Sequence, residues 1–308
     1  MGSKIVVVGS SNTDMIIQVE HIPKPGETII GGVFSIAAGG KGANQAVAAA
    51  RAGGNVTLVA RVGEDMFGKQ AIDGFVKDDI DVGHVKQDSD TPSGVALIFV
   101  DKDGENSIAV ASGANANVSP ADVQAAKDSI ASADILLMQL ETPLETIQEA
   151  AQIANENDVR VILNPAPAQP LSDVILQQVS VLTPNESEAE FLTGITVNNE
   201  TDAEIAANAL YDKGIKTVLI TLGSKGALVF DSDYRDLVPG FEIEAVDSTA
   251  AGDAFNGALA VALSEGKPLK DAVAFANAAG ALSVTKLGAQ PSAPSRSEIN
   301  FFLHERSK

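Results

Sequence analysis

Short aliphatic, mostly β-branched runs alternate with stretches of helical spacing along much of this chain. Residues 5–8 (IVVV) form the first run and end in Gly9, Ser10, Ser11 and Asn12, which reads as a buried strand and a turn. Residues 15–19 and 28–36 are extended runs separated by the Pro23–Gly26 turn, and 38–44 is a glycine-rich loop feeding an alanine-rich helix that stops at Gly53-Gly54. Residues 56–62 read as a strand and 67–77 as a helix. Residues 93–100 and 107–111 flank Asp101-Lys102-Asp103-Gly104, a hairpin signature. These last two runs, with 15–19 and 28–36, do not alternate with helices and predict a small separate sheet.

From there strand and helix alternate. The pattern predicts strands at 135–138, 159–163, 179–182 and 217–221, with helices over 143–157, from 186 and over 203–213. Helices over 253–264, 269–284 and 297–305 close the chain. Such alternation predicts an α/β fold whose central, mostly parallel sheet is flanked by helices, with the extra strands as a small β-sheet lid. No internal repeat or low-complexity tract interrupts it.

Composition narrows the function. With 308 residues, 45% of them hydrophobic, the chain can bury a large core. A net charge of -20 argues against nucleic acid and anionic membranes as partners. The absence of cysteine excludes disulfides and thiolate metal sites. The first 20 residues hold only a four-residue apolar run, so a cytoplasmic protein without signal peptide or membrane span is expected. No G-x-G-x-x-G follows the first strand. A Walker A loop fails because position 35 is Ser and Lys41 precedes Gly42. The three histidines are scattered, and Gly9-x-Ser11 has Thr13 where a nucleophile elbow needs Gly.

The most informative stretch is AVDSTAAGDAFNGAL, residues 245–259. A short run enters a turn of small residues, and helical spacing begins at Asp253, with Phe255, Leu259 and Ala262-Leu263 on one face. A small-residue turn opening a helix leaves backbone N–H groups free for an anion. Asp253 beside it could act as a base on an alcohol, or could merely stabilise the helix dipole.

Gly39-Gly40-Lys41-Gly42-Ala43-Asn44 and the segment from Asp247 to Phe255 together resemble the two signatures of the ribokinase family of carbohydrate kinases, which includes the B-type phosphofructokinases. The resemblance spans the chain. It implies a single kinase domain over 1–308 with a lid from segments 14–36 and 93–111. It further implies an ATP-dependent kinase acting on O5 of D-ribose, with Asp253 as general base and the amides of Ala250, Ala251, Gly252 and Asp253 as the anion hole. The implied acceptor set is Asn12, Asp14, Gly40, Lys41, Asn44 and Glu141. The implied ATP set is Asn185, Glu188, Thr221, Gly223, Ser224, Gly226, Gly252 and Asn277. Glu188 would position magnesium through water. Asp247, Thr249, Ser283, Lys286, Gly288 and Ser292 resemble a monovalent cation site for potassium. The family also implies a homodimer paired through its lids, which would cover exposed strand edges.

Each position has a simpler reading. Asn12, Asp14 and Asp247 suit turn caps, Lys41 a solvated loop, Glu141 a helix start, and Asn185 with Glu188 a capping box. Ser248 stands where the family motif commonly has Thr and keeps the hydroxyl, and Ala254 stands where it commonly has Thr or Ser and loses one. Another acceptor, such as fructose, a nucleoside or deoxyribose, and a non-catalytic sugar-binding protein on the same fold are the alternatives.

Overall fold

The computed structural model describes residues 3–306. In chain order the strands are β1 (Lys4–Val8), β2 (Asn12–Gln18), β3 (Val33–Gly39), β4 (Asn55–Gly63), β5 (Asp81–Asp88), β6 (Gly94–Val100), β7 (Asn106–Ala111), β8 (Ile135–Met138), β9 (Arg160–Leu163), β10 (Val181–Leu182), β11 (Thr217–Thr221), β12 (Gly226–Phe230) and β13 (Arg235–Pro239). The helices are α1 (Lys41–Arg51), α2 (Met66–Lys77), α3 (Pro120–Ala125), α4 (Lys127–Ala131), α5 (Leu144–Glu156), α6 (Asp173–Leu176), α7 (Glu186–Thr193), α8 (Glu200–Tyr211), α9 (Ala251–Ser264), α10 (Leu269–Ser283), α11 (Ala289–Ser292) and α12 (Arg296–Arg306).

Nine strands form one sheet in the order β13-β12-β11-β10-β9-β8-β1-β4-β5. It is parallel from β11 to β5, and β12 and β13 add an antiparallel edge. Both faces are covered, so strands such as β1 are apolar at successive positions. Ile5 and Val7 pack with α1, α9 and α10, while Val6 and Val8 pack with the helices between β8 and β11.

The second sheet runs β3-β2-β6-β7, and the hairpin joins β6 and β7 as expected. Its two faces differ in composition. Direct cross-strand partners share a face, so Asp14, Ala37, Ala96 and Val110 lie together on one side. Met15, Ile36 and Leu97 lie on the other, followed two residues on by Ile17 and Phe99.

Some elements differ from the pattern-based expectation. The strand expected over 28–36 occupies only Val33–Gly39, because Gly31 and Gly32 take φ of 115° and 105°, outside any pleat. β5, with the sequence DVGHVKQD, is an edge strand whose polar residues hide its period. α9 begins at Ala251, two residues before the expected start at Asp253, while α10 begins at Leu269 as expected.

Candidate active site

Polar residues follow the carboxyl ends of five neighbouring parallel strands, where open α/β sheets bind their ligands. Ser10 and Asn12 follow β1, Gln139 and Glu141 follow β8, Asn164 follows β9, Thr183 and Asn185 follow β10, and Ser224 follows β11. Toward them points the amino end of α9. Its N-cap, Ala250, sits in the left-handed region at φ 59°, and this turns the chain so that the Ala251 amide bonds back to the Ser248 carbonyl at 3.3 Å while Gly252 stands exposed at the turn. A side chain added at Gly252 would meet nothing within 4 Å, so the turn is open in front.

Asp253 is buried beside that turn. Asn44 Nδ2 donates to its Oδ2 at 2.9 Å and Gln45 Nε2 to its Oδ1 at 2.9 Å. Burial pushes the Asp253 carboxyl above the usual range, against Lys41 and the two amide donors. Lys41 is opposed by burial too, but Asp253, Glu141, Glu188 and Asp14 outweigh it and raise its pKa. Burial, then Glu141 and Asp253, lifts Asp14 from 3.8 to about 6.

Three cavities are lined by these elements. The first, about 340 Å³, is lined by Asn12, Val110, Asn115, Glu141 and Thr142. The second, about 180 Å³, holds Lys41, Asn185, Glu188 and the turn from Ala250 to Asp253. The third, about 280 Å³, is lined by Thr221, Gly223, Ser224, Gly226, Phe241, Gly252 and Asn277. Ala251 and Gly252 line both the second and the third.

Asn12 is fixed by Asn115, whose Nδ2 donates to Asn12 Oδ1 at 2.7 Å. Gly40 caps α1, and Glu141 accepts from the Lys41 amide at 2.9 Å and from the Ser10 hydroxyl. Lys41 lines the cavity of the α9 turn and is not among the residues lining the Asn12 cavity. Among the described residues the buried Asn44 Oδ1 has no hydrogen-bond partner, which leaves an acceptor for a ligand hydroxyl.

Asn185 and Glu188 form the capping box of α7: Asn185 Oδ1 accepts from the Glu188 amide and Glu188 Oε2 from the Asn185 amide. Burial raises the Glu188 pKa over these bonds. Asn277 Nδ2 donates to the carbonyls of Val238 and Pro239 at 3.0 and 3.2 Å, so it braces β13 at the cavity wall.

Asp247 joins two segments, accepting from the Thr249 amide at 2.9 Å and the Gly288 amide at 2.8 Å. Burial opposes its charge, but these bonds hold its pKa below the usual value. Ser283 and Ser292 are buried and donate to Gly280 and Ala289 carbonyls. The Lys286 ammonium pairs with Glu298, so of that residue only the main-chain oxygen is free to face a cation.

The sequence reading gave no role to Gln45, Gln139, Asn164 or Asn115. All are buried polar residues. Gln139 and Asn164 carried a signal, a polar side chain directly after an apolar strand. Gln45 sits in an alanine-rich helix and Asn115 in a short 3-10 helix over Gly113–Asn117, where nothing in the sequence separates them from solvated residues.

A buried carboxylate lies against an open helix amino terminus at the end of a parallel sheet, an arrangement whose chemistry suits phosphoryl transfer to an alcohol. The chain belongs to the pfkB family of carbohydrate kinases, whose model matches residues 3–296. It is 49% identical over 303 residues to the ribokinase of Haemophilus influenzae, covering 98% of this chain and 99% of that one. Among solved structures, the ribokinase of Thermotoga maritima has a TM-score of 0.90 at 41% identity, over 99% of this chain and 100% of that chain. The Arabidopsis thaliana ribokinase complexed with ribose and ATP has a TM-score of 0.89 at 34% identity, over 98% of this chain and 99% of that one.

Proposed function

We propose that this protein transfers the γ-phosphoryl group of ATP to O5 of D-ribose. The observation that carries the reading is Asp253, buried, doubly hydrogen-bonded and set in the first turn of α9 beside an open turn. The acceptor lies among Asn12, Asp14, Gly40, Asn44 and Glu141, under the second sheet acting as a lid. ATP lies along the cavity from Asn277 to Gly252. The O5 proton passes to Asp253 as O5 bonds to the γ-phosphorus and the bond to the bridging oxygen of ADP breaks. The amides from Ala250 to Asp253 and the Lys41 ammonium face the charge that spreads over the transferring oxygens. Burial, by raising the pKa of Asp253, makes it a better base than a solvated aspartate.

Magnesium bound with the nucleotide would offset phosphate charge. Among the described residues no group of three metal-ligating side chains exists, which suits an ion that keeps its water and phosphate ligands, with Glu188 at its outer shell. Asp247 with hydroxyl and main-chain oxygens is a hard donor set, suited to potassium near the α9 turn. The exposed apolar outer face of the lid, with Phe34 at 59%, Ile36 at 51% and Leu97 at 50% exposure, supports a homodimer paired through the lids. The site of action in this reading is the cytoplasm, where ATP is made; among the described residues no helix is long and apolar enough to cross a membrane.

The test is ADP release by purified protein with Mg-ATP, offering ribose, fructose, a nucleoside and 2-deoxyribose, each with and without potassium. Ribose-dependent turnover that rises with potassium is expected. Preference for another acceptor moves the substrate, and calorimetric ribose binding without turnover on any acceptor removes the catalytic reading. Light scattering, with Phe34→Glu as the control, reads the dimer.

A further inference from the structure

The hydrogen bonds behind Asp253 have a direction, set by two backbone carbonyls that can only accept. The Thr183 carbonyl takes Asn164 Nδ2 at 3.0 Å. Asn164 must therefore turn its Oδ1 toward Gln45, which answers with Nε2 at 3.1 Å. That same amide nitrogen carries the second hydrogen to Asp253 Oδ1. Gln45 Oε1 is left to accept from Gln139 Nε2 at 2.6 Å. On the other branch the Gly252 carbonyl takes Asn256 Nδ2 at 2.8 Å, so Asn256 Oδ1 accepts from the Thr183 hydroxyl at 2.7 Å. Gln45, Gln139, Asn164, Thr183 and Asn256 are all buried. The unpaired atom of this set, Gln139 Oε1, lies two groups away from the carboxylate.

We propose that Gln45 is a positioning residue for phosphoryl transfer: oriented by Asn164 and Gln139, it fixes the Asp253 carboxylate, and the Thr183–Asn256 branch ties that setting to the Gly252 carbonyl in the α9 turn. The proposal rests on the reading of Asp253 as the base. With Asn44 on one oxygen and Gln45 on the other, the carboxylate cannot rotate out of line with the acceptor hydroxyl. Base and anion hole are thereby held in one frame, and placement of reacting groups is where this chemistry gains most of its rate. Amide N–H donors also favour the ionised carboxylate, the form a base requires. The other charged groups facing Asp253 are Lys41 on α1, Glu141 after β8, Glu188 on α7 and Asp14 on β2. A change at Gln45 leaves each of these in place.

The experiment compares full-length Gln45→Met, Gln139→Met and Asp253→Asn with the parent, using Mg-ATP and ribose from about pH 5 to 9. Gln45→Met is expected to lower kcat on the order of 10²-fold with little change in the KM for ribose. The acid limb of kcat/KM should move up by about one pH unit, because the ionised carboxylate loses an N–H donor that favours it over the protonated form. Gln139→Met, which only frees Gln45 to turn, should move the same limb in the same direction by less. A folded Gln45→Met enzyme with lower Tm but an unmoved acid limb and parental kcat overturns the proposal. If Gln45→Met does not fold, Gln139→Met decides on the same criterion. Near-normal turnover by Asp253→Asn sinks the base assignment itself. An inactive Asp253→Asn beside an unmoved limb in the glutamine variants sinks only the positioning role.

Discussion

Gly257 meets the backbone of Gln45 across the α1–α9 interface: a methyl group on Gly257 would stand 2.7 Å from the Gln45 carbonyl oxygen. The same methyl would be 2.7 Å from the Ala48 Cβ and from the Ala49 nitrogen. Gly257 lies one turn beyond Asp253, on the same face of α9. The close approach lets two neighbouring α1 side chains, Asn44 and Gln45, reach one carboxylate. Helix propensity alone would favour alanine here by about 1 kcal/mol. Overpacking costs about 1–3 kcal/mol, so Gly257→Ala is expected to be neutral to destabilising by about 2 kcal/mol. Its turnover should fall in either case, because α9 must back away from α1. Urea denaturation and kcat on the same preparation check this, and an unchanged kcat would show that the interface absorbs a methyl without moving Asp253.

Asp253→Asn keeps the shape of the side chain and removes the base. Acceptor binding should persist, because Asn12, Asp14 and Glu141 are untouched. Turnover should fall by about 10²–10⁴-fold, the range for loss of a positioned base. Calorimetry with ribose alongside ADP release separates the two quantities. Loss of binding together with turnover would show Asp253 to be mainly an acceptor contact.

Much of this centre was legible before the fold was known, and the reasons are local. The turn at 247–252 is a contiguous run of small and polar residues ahead of a helix, and Gly39-Gly40 precedes another. Their chemistry needs adjacent residues, so it leaves a linear signature. Gln45 is different. Its partners, Gln139, Asn164 and Asp253, stand at positions brought together only by strand order and by the packing of α1 on α9. β5 was missed for another reason: as the sheet edge it is half solvated, and the pattern DVGHVKQD shows no period of two. The parallel core strands, apolar on both faces, were plain.

Ala250 opens the turn before α9, the proposed anion hole, with φ 59°, a conformation that costs a residue with a Cβ roughly 1–2 kcal/mol. Glycine would relieve that cost and add freedom to the unfolded chain, worth about 0.4–1 kcal/mol in the opposite sense. Ala250→Gly is therefore expected to stabilise the fold by up to about 1 kcal/mol. It should also lower kcat modestly, since the turn that aims the amides loses its fixed shape. Thermal unfolding and steady-state turnover test both halves. A variant less stable than the parent would show that the surroundings hold Ala250 without strain.

Asp14 makes stability depend on pH in a direction that can be worked out. Burial and the neighbouring carboxylates raise its pKa from 3.8 to about 6, so the folded chain holds this proton more tightly than the unfolded chain. The favourable contribution is therefore full below about pH 4 and is lost as the pH rises toward 6, after which the ionised carboxylate is a constant cost. A difference of this size corresponds to roughly 3 kcal/mol at most. Asp14→Asn removes the charge and should be more stable than the parent at pH 8, with the advantage vanishing toward pH 4. Asp253 and Glu188 are raised in the same sense, so the difference between variant and parent, not the parent's own profile, isolates Asp14. If β2 carries the acceptor site as proposed, ribose affinity should fall in the same variant, because the cost is borne by a carboxylate on the face it shares with Asn12. Melting curves at several pH values with a ribose titration decide it. A pH-independent difference would mean that Asp14 is solvated well enough to titrate normally.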